Sequence, residues 1–158
     1  MIFLTVGSMF PFDRLIKAVD EMVGDGRITD EINAQIGDGK YEPKNFKFKR
    51  FMGKPEYERE LAASTYLIAH AGAGTIALAL EAGKPLLVVP RRSINGEHVN
   101  NHQIATARKF AELGHVLVAN ETSELPEKLI YLKTFKAARR QTDSERMARR
   151  ISLILTNI

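Results

Sequence analysis

The fold is decided by residues 66–85, which read YLIAHAGAGTIALALEAGKP. Tyr66–Ala69 is a short apolar segment and predicts a strand, whereas Gly74–Ala82 is rich in Ala and Leu and predicts a helix. Gly83 is a typical residue after a last helical turn, and Pro85 cannot continue the helix. A strand, a glycine turn and a helix in succession form the unit from which parallel α/β sheets are built.

The same alternation of strand and helix continues on both sides of this unit. Apolar runs predict five further strands, at Ile2–Val6, Glu31–Gly37, Phe46–Met52, Leu86–Val89 and Val116–Ala119. Helical spacing predicts a helix that Pro11 opens and others over Pro55–Ser64, Val99–Leu113, Ser123–Leu132 and Phe135–Leu155. We therefore expect one Rossmann-like α/β domain over residues 1–158, with a mostly parallel sheet and helices on both faces.

Composition excludes several classes of protein. The chain has 158 residues, 44% of them hydrophobic, and no cysteine, which excludes a disulfide scaffold, a thiol nucleophile and a Cys-ligated zinc site. No run approaches the ~18–20 apolar residues that span a bilayer. The first residues lack the positively charged start of a secretory signal. We therefore expect a cytoplasmic protein that is held at a membrane only by another molecule.

The net charge of +4 is concentrated near the C-terminus. Residues 133–150 contain seven basic and two acidic residues, a local charge of +5. An anionic membrane surface or an acidic partner would be attracted to this segment, and a solvated helix face would show the same pattern. This segment is the only feature of the sequence that favours nucleic-acid binding. Because one such segment is weak support, we do not expect nucleic acid as a partner.

The loop at the centre of the fold-deciding stretch is a candidate binding site for a diphosphate. Gly72 and Gly74 permit a tight turn and a close approach of the backbone to a ligand. Free N–H groups of Gly74, Thr75 and Ile76 would face an anion at the start of the helix. His70 is able to donate to a phosphate oxygen, and the Thr75 hydroxyl is either an N-cap or a second donor. The alternative is a structural glycine turn with a capping Thr75.

Two familiar phosphate motifs fit this loop poorly. Residues 72–77, GAGTIA, satisfy G-x-G-x-x-G/A, but they follow the fourth predicted strand, and Pro90-Arg91-Arg92 after the next strand offers no acidic residue for a ribose. NAD(H) is therefore disfavoured, while NADP remains open. The Walker A pattern is absent from the sequence. We expect no cofactor.

Residues 90–103 form a long polar loop with donors and acceptors suited to sugar hydroxyls, although loops of this kind are often polar without binding a ligand. His98 and His102 lie four residues apart and could share a helix face as a metal pair, but no third ligand is evident. The D-x-D motif, which commonly presents carboxylates to a cation in transferases, does not occur. We expect no metal site.

Three segments of the sequence resemble a known family: TVGS and PFDRL within residues 5–15, HAGAGT and EAGKP within residues 70–85, and NNHQ at residues 100–103. They resemble the C-terminal, donor-binding domain of glycosyltransferase family 28 in a free-standing form. Members similar to this chain are the small subunits of two-component exopolysaccharide glycosyltransferases (PssE type). The catalytic subunit of the eukaryotic dolichol-linked N-acetylglucosaminyltransferase is also similar.

The resemblance implies the C-terminal half of a GT-B fold, in which two Rossmann-like halves bind the substrates between them. It implies metal-independent, inverting transfer from a UDP-sugar to a lipid-diphosphate-linked saccharide. A separate membrane-associated subunit would supply the acceptor-binding half and the general base. The whole chain would then be one donor-binding domain at the cytoplasmic face of the membrane.

The resemblance also implies roles for individual residues. The matching positions are Gly7, Ser8, His70, Gly72, Gly74 and Thr75 for the diphosphate, Phe51 and Met52 for uracil through their backbone, and Asn101, His102 and Gln103 for the donor sugar.

Position 78 departs from the family pattern, which places there a Glu that binds the ribose. This chain has Leu78, and Glu81 lies one helical turn later on roughly the same face. Glu81 is therefore the candidate ribose ligand, and impaired donor binding is the alternative. A non-catalytic binding or enhancer subunit stays open as a function for this reason, and a nucleotide-sugar epimerase-like domain is a further alternative.

Residues from about 135 to 158 are expected to form a C-terminal helix. Family members commonly end in a helix that packs towards the other half. Apolar residues that follow the basic stripe favour docking to a partner at an anionic surface; they are Ile151, Leu153, Ile154, Leu155 and Ile158. The alternative is a helix that closes the core of this domain.

Overall fold

The computed structural model describes residues 1–138. Strands and helices alternate through them as β1 (Ile2–Thr5), α1 (Asp13–Gly24), β2 (Ile32–Gln35), β3 (Lys47–Lys49), α2 (Lys54–Ala63), β4 (Tyr66–His70), α3 (Ala73–Glu81), β5 (Leu86–Val89), α4 (His102–Glu112), β6 (Leu117–Val118) and α5 (Leu125–Leu132). Short 3-10 turns lie at Ser93–Asn95 and Thr122–Glu124. Within these residues no helix is long and apolar enough to cross a membrane.

The six strands form one sheet in the order β3-β2-β1-β4-β5-β6, and every pairing between them is parallel. Leu4 of the central β1 lies beside Ala34 of β2 on one side and Ile68 of β4 on the other. The strand order reverses direction between β1 and β4, and sheets of this kind bind ligands outside the carboxyl ends of the strands at that point. The predicted Rossmann-like α/β fold class is confirmed.

Each face of the sheet carries its own hydrophobic core. Ile2 and Leu4 of β1 face α1 and α5, whereas Phe3 faces α2, α3 and α4. Successive side chains of a strand point to opposite faces, so a strand covered on both sides must be apolar throughout. Phe3 and Leu4 are both fully buried, and each such side chain contributes about 1.5–3 kcal/mol to stability.

Several predicted elements are shorter in the structure, and the helix over Val99–Leu113 and the strand over Phe46–Met52 each lose four residues. The helix expected from Val99 begins at His102, because the preceding loop is held in another conformation, with Gly96 at a φ of +69° and Glu97 buried. The strand expected over Phe46–Met52 narrows to Lys47–Lys49, since this edge strand pairs with β2 alone.

The expectation of a helix from Phe135 is wrong at its start, since residues 135–138 are irregular. The Ala138 N–H donates to Gly114 O at 2.8 Å, and the Ala138 carbonyl accepts from His115 Nδ1 at 2.8 Å. These two bonds hold this segment at the amino end of β6. The rest of the predicted helix, residues 139–158, lies outside the described part of the chain.

Candidate functional site

The imidazole of His70, the last residue of β4, lies between two glycines at the carboxyl edge of the sheet. A Cβ atom at Gly7 would come within 2.9 Å of His70 Cε1, and one at Gly72 would come within 2.9 Å of His70 Cδ2. Gly7 also has a φ of +73°, which strongly favours glycine. The imidazole fits because both flanking positions lack a side chain. Three predicted phosphate-binding residues are thereby brought together.

His70 is uncharged at neutral pH. The residue is 8% exposed, and burial, followed by the positive charge of Arg91, lowers the pKa of His70 to about 4. The backbone of Thr5 acts in the opposite direction without offsetting these effects. His70 Nδ1 is buried and has no hydrogen-bond partner among residues 1–138. A neutral imidazole offers one N–H donor, so His70 is able to donate to an anion without itself carrying charge.

The N-terminus of α3 begins beside this imidazole. Gly72 is the N-cap, and the first intrahelical bond joins the Ile76 N–H to Gly72 O at 3.0 Å. The N–H groups of Ala73, Gly74 and Thr75 precede that bond and therefore have no acceptor within the helix. The prediction that Ile76 offers a free N–H is wrong, and Ala73 offers one in its place.

The start of α3 leaves room for a ligand. A Cβ at Gly74 would meet no atom of the described chain within 4 Å, so this glycine is not required by packing. Thr75 is the third residue of the helix, which excludes the N-cap role that the sequence had left open for its hydroxyl. The start of α3 thus offers three N–H groups without an intrahelical acceptor together with the positive end of the helix dipole, an arrangement that attracts anions.

The loop after β1 is anchored by Arg91, a residue that the sequence did not single out. Arg91 is 2% exposed, and its Nη2 donates to Val6 O and Phe10 O, each at 2.5 Å. Ser8, between these two carbonyls, is exposed at the same edge. Two adjacent arginines in a polar loop gave no signal that the first would be buried.

Tyr57 of α2 is a second residue that sequence analysis missed. Its ring packs edge-to-face on Phe3, with the ring centroids 5.1 Å apart. Burial raises the pKa of Tyr57, while the hydroxyls of Thr5 and Thr75 act in the opposite direction. A phenol beside Thr75 borders the start of α3, and nothing in the sequence around position 57 indicated this placement.

Phe51 and Met52, predicted to contact uracil, follow the edge strand β3. The Met52 N–H donates to the buried Gln35 Oε1 at 2.9 Å, so this backbone donor is already used within the protein. The Phe51 side chain is half-exposed. Met52 also lines a cavity of about 170 Å³ with Phe48 and Glu56. The uracil prediction therefore depends on the other backbone groups of this segment.

The structure does not bring Glu81 to the diphosphate cradle, the candidate site formed by Gly7, His70, Gly72 and the start of α3. Glu81 is the last residue of α3, so its Cα lies about 12 Å along the helix axis from Ala73. Leu78, which is partly exposed, lies one turn closer to the helix start. A ribose is bonded directly to the diphosphate that the N-terminus of α3 would hold, so Glu81 is poorly placed for the ribose contact.

The residues predicted to contact the donor sugar have different environments. Gln103 is 3% exposed, and its Oε1 accepts from the Arg91 N–H at 3.1 Å. Asn101 Oδ1 accepts from the Ser93 N–H at 2.9 Å and from the Ser93 hydroxyl at 3.0 Å. Both side chains therefore hold the loop after β5, and Gln103 is enclosed by it.

His102 is exposed, as Asn101 is, and its ring packs edge-to-face against that of His98. Its ring centroid lies 4.5 Å from that of His98, which in turn lies 4.6 Å from the Phe10 ring. The Asn100 side-chain oxygen accepts from the His102 N–H at 3.1 Å. In the described residues no group of three His, Cys, Asp or Glu side chains is placed to hold a metal ion.

Comparison with known sequences identifies relatives. The family model of the glycosyltransferase family 28 C-terminal domain matches residues 1–154. Human UDP-N-acetylglucosamine transferase subunit ALG13 is 34% identical over 128 residues, which are 73% of this chain and 10% of the human protein. The ALG13 subunit of Candida glabrata is 42% identical over 57 residues, which are 36% of this chain and 27% of the Candida protein. The chain thus spans about a tenth of the mammalian relatives that it matches.

Solved structures share the fold. The solution structure of ALG13 has a TM-score of 0.58 at 22% identity and covers 95% of this chain and 93% of its own. The kitacinnamycin glycosyltransferase has a TM-score of 0.62 at 19% identity, over 84% of this chain and 34% of that enzyme. The crystal structure of Acinetobacter baumannii MurG has a TM-score of 0.54 at 23% identity, over 84% of this chain and 40% of that protein. The described domain therefore has the architecture of one half of a GT-B fold.

Proposed function

Because the chain belongs to the family defined by the glycosyltransferase family 28 C-terminal domain, we propose that it is the donor-binding subunit of a glycosyltransferase. It binds a UDP-sugar and transfers the sugar to a lipid-diphosphate-linked saccharide, together with a separate acceptor-binding subunit anchored in the membrane. The relatives, named as subunits of a UDP-N-acetylglucosamine transferase, support a UDP-sugar donor and a multi-subunit enzyme.

One observation carries this proposal: an uncharged imidazole fixed between Gly7 and Gly72, beside the free N–H groups at the start of α3. Negative charge develops on the β-phosphate of UDP as the bond to the sugar breaks. Donors aimed at that oxygen lower the barrier because they interact more strongly with the transition state than with the bound substrate. The His70 N–H and the N–H groups of Ala73, Gly74 and Thr75 provide these donors.

The proposed transfer inverts the configuration of the anomeric carbon. A hydroxyl oxygen of the acceptor attacks the anomeric carbon on the face opposite to UDP, and the bond from that carbon to the β-phosphate oxygen breaks. The electron pair stays with UDP, and the proton of the hydroxyl goes to a general base on the acceptor-binding subunit. This chain binds and orients the donor and stabilises the leaving group.

Three finer parts of the proposal rest on separate observations. Transfer without a metal ion is supported by a cradle built from backbone N–H groups and His70 in a sequence without a D-x-D motif. A role in exopolysaccharide or related glycan synthesis at the cytoplasmic face of the membrane is supported by the motifs shared with two-component transferases. Docking through the basic C-terminal segment is supported by its charge of +5 over residues 133–150.

The experiment is a calorimetric titration of the purified chain with UDP, with and without Mg²⁺. We expect binding that does not require Mg²⁺ and that weakens about 10- to 100-fold in His70→Ala, the effect of one hydrogen bond to a charged group. His115→Ala is the matched control, because His115 is equally buried (9% against 8% exposed) but lies next to Gly114, at the other end of the sheet.

Two outcomes would contradict the proposal, one for the role of His70 and one for the function itself. Equal loss in both histidine variants would indicate general destabilisation and contradict a phosphate contact by His70. Absence of UDP binding by the chain and also by its complex with the acceptor-binding subunit would refute the proposed function.

A second function is favoured by one observation, the partly exposed Leu78 where the family pattern has an acidic residue. The chain would then be a non-catalytic enhancer subunit that binds its partner and not the donor. Reconstituted transfer activity that survives His70→Ala unchanged would favour this second function.

A further inference from the structure

Arg91 is a buried cation that no carboxylate contacts within residues 1–138. Its Nη2 is held by two carbonyl oxygens, Val6 O and Phe10 O, and its Nε has no hydrogen-bond partner in this part of the chain. The guanidinium also lies 5.2 Å from the centroid of the Phe12 ring. Burial of a positive charge without a carboxylate in contact is unfavourable, so Arg91 at this position lowers the stability of the fold.

The nearest acidic side chains are bonded to other arginines. Glu97 accepts from Arg14 Nε at 2.7 Å and from Arg14 Nη2 at 3.0 Å, and also from the Arg92 N–H at 2.9 Å. Glu121 accepts from Arg92 Nη1 at 2.6 Å. Two carboxylates therefore face three guanidinium groups among the described residues, and one positive charge is left over.

The remaining charge lies beside the candidate phosphate site. Burial lowers the pKa of Arg91 to about 10, while the nearby negative charge of Glu97 acts in the opposite direction, so the side chain stays charged at pH 7. Arg91 is near enough to His70 to lower the pKa of that imidazole, second only to burial. Through Val6 and Phe10 it also holds both ends of the segment that contains Gly7 and Ser8.

We propose that Arg91 sets the charge selectivity of the site, because it positions the loop after β1 and supplies a fixed positive charge that no carboxylate contacts within residues 1–138 and that a bound diphosphate would neutralise. The inference rests on the proposed function, since it takes the diphosphate of a nucleotide sugar as the anion. Arg91 is a positioning residue in this scheme, because it contacts the loop and acts on the ligand through its field.

The test compares UDP with uridine, which lacks the phosphates, in calorimetric titrations of four proteins. Arg91→Gln removes the charge and keeps hydrogen-bond donors, whereas Arg91→Lys keeps the charge. Arg92→Gln is the control, because the Arg92 guanidinium is already bonded to Glu121 and to Asn120 O.

We expect Arg91→Gln to weaken UDP binding about 10- to 30-fold more than uridine binding, as one charge acting over several ångströms near a protein surface would. Arg91→Lys retains most of the UDP affinity, and Arg92→Gln changes neither ligand by more than about twofold. An equal loss of UDP and uridine in Arg91→Gln would show that the residue is merely structural and overturn the inference. If Arg91→Gln does not fold, Arg91→Lys still decides, since a charge role predicts retained preference for UDP over uridine.

A second measurement does not depend on UDP. The imidazole signals of His70, followed by NMR as a function of pH in the ligand-free proteins, report the charge of Arg91 directly. We expect the pKa of His70 to rise above its wild-type value of about 4 in Arg91→Gln. In Arg91→Lys, which keeps the positive charge, we expect it to remain at about 4. An unchanged pKa in Arg91→Gln would show that the charge is already neutralised and would overturn the inference, even if UDP binds as proposed.

Failure of the proposed function is distinguishable from failure of this inference. If the wild-type chain binds no UDP, the titrations are repeated with inorganic pyrophosphate as the probe. Pyrophosphate binding that Arg91→Gln weakens would support the charge role of Arg91 without the donor. Absence of pyrophosphate binding to the wild type would overturn the charge role as well.

Discussion

Gly72→Ala is a sharp test of the packing around His70. The backbone of Gly72 has a φ of −81° and a ψ of 127°, which alanine adopts without strain. A Cβ at this position would lie 2.9 Å from His70 Cδ2, closer than real Cβ atoms approach, and 3.1 Å from His70 Cε1, tighter than most real Cβ contacts. The imidazole is 8% exposed and has little space into which to move. The effect of the substitution therefore depends on whether the imidazole is present.

The expected magnitude follows from two opposing effects. Forcing a methyl group into a packed site costs about 1–3 kcal/mol, whereas replacing glycine with alanine stabilises by about 0.4–1 kcal/mol through the unfolded chain. In the wild-type background Gly72→Ala should therefore lower the free energy of unfolding by about 1–2 kcal/mol. In a His70→Ala background the clash is gone, and the same substitution should raise it by about 0.4–1 kcal/mol.

Urea unfolding of the four proteins of this cycle at pH 7.5 measures both effects, provided the denaturant slopes agree. Gly74→Ala is the matched control, because its Cβ would meet no described atom within 4 Å and it should not destabilise in either background. Gly7→Ala should be only partly rescued by His70→Ala, since its φ of +73° strains an alanine in both backgrounds. An effect of Gly72→Ala with the same sign and size in both backgrounds would refute the packing described for His70.

Three further predictions concern stability. The pKa of His70 is about 4 in the folded chain and 6.5 in the unfolded chain, so only the unfolded chain takes up the proton as the pH falls below 6.5. The wild type should therefore lose up to about 3 kcal/mol relative to His70→Ala between pH 6.5 and 4, measured by urea unfolding at several pH values; parallel curves would contradict this. Asp20→Asn should cost about 2–3 kcal/mol by thermal unfolding, because the buried carboxylate accepts from the Tyr41 hydroxyl at 2.8 Å and from the Lys44 N–H at 3.0 Å. Glu97→Gln should cost about 3 kcal/mol, since the Arg14 guanidinium loses its bonded carboxylate and then faces, among the described residues, only the more distant Glu121 at 3.6 Å; an unchanged melting temperature would argue against the pair of Arg14 and Glu97.

The diphosphate cradle could be located from sequence, but the reason for its glycines could not. The pattern of a strand end followed by glycines and a helix placed His70, Gly72 and Gly74 together at a site. From the sequence, Gly72 and Gly74 are both expected to make room for a ligand. The structure shows that Gly7 and Gly72 make room for the His70 imidazole, and that Gly74 alone of these three faces open space.

The ribose and sugar predictions show where motif reasoning ends. Glu81 shares a helix face with Leu78, but a rise of about 1.5 Å per residue places it at the far end of α3. Gln103 belongs to a motif of polar residues, yet its side chain is buried against the Arg91 backbone. A motif fixes spacing along the chain and leaves the direction of each side chain to its surroundings.

The sequence by itself determined the order of strands and helices, the parallel sheet and the position of the loops at its carboxyl edge, because these depend on periodicity within a few residues. Tertiary structure alone decided that Arg91 is buried, that its side chain bridges Val6 and Phe10, and that Arg14 pairs with Glu97. These contacts join residues 81–85 positions apart along the chain. The charge balance of the site is a sum over such distant groups, and it exists only after the sheet has brought β1 and β5 to either side of β4.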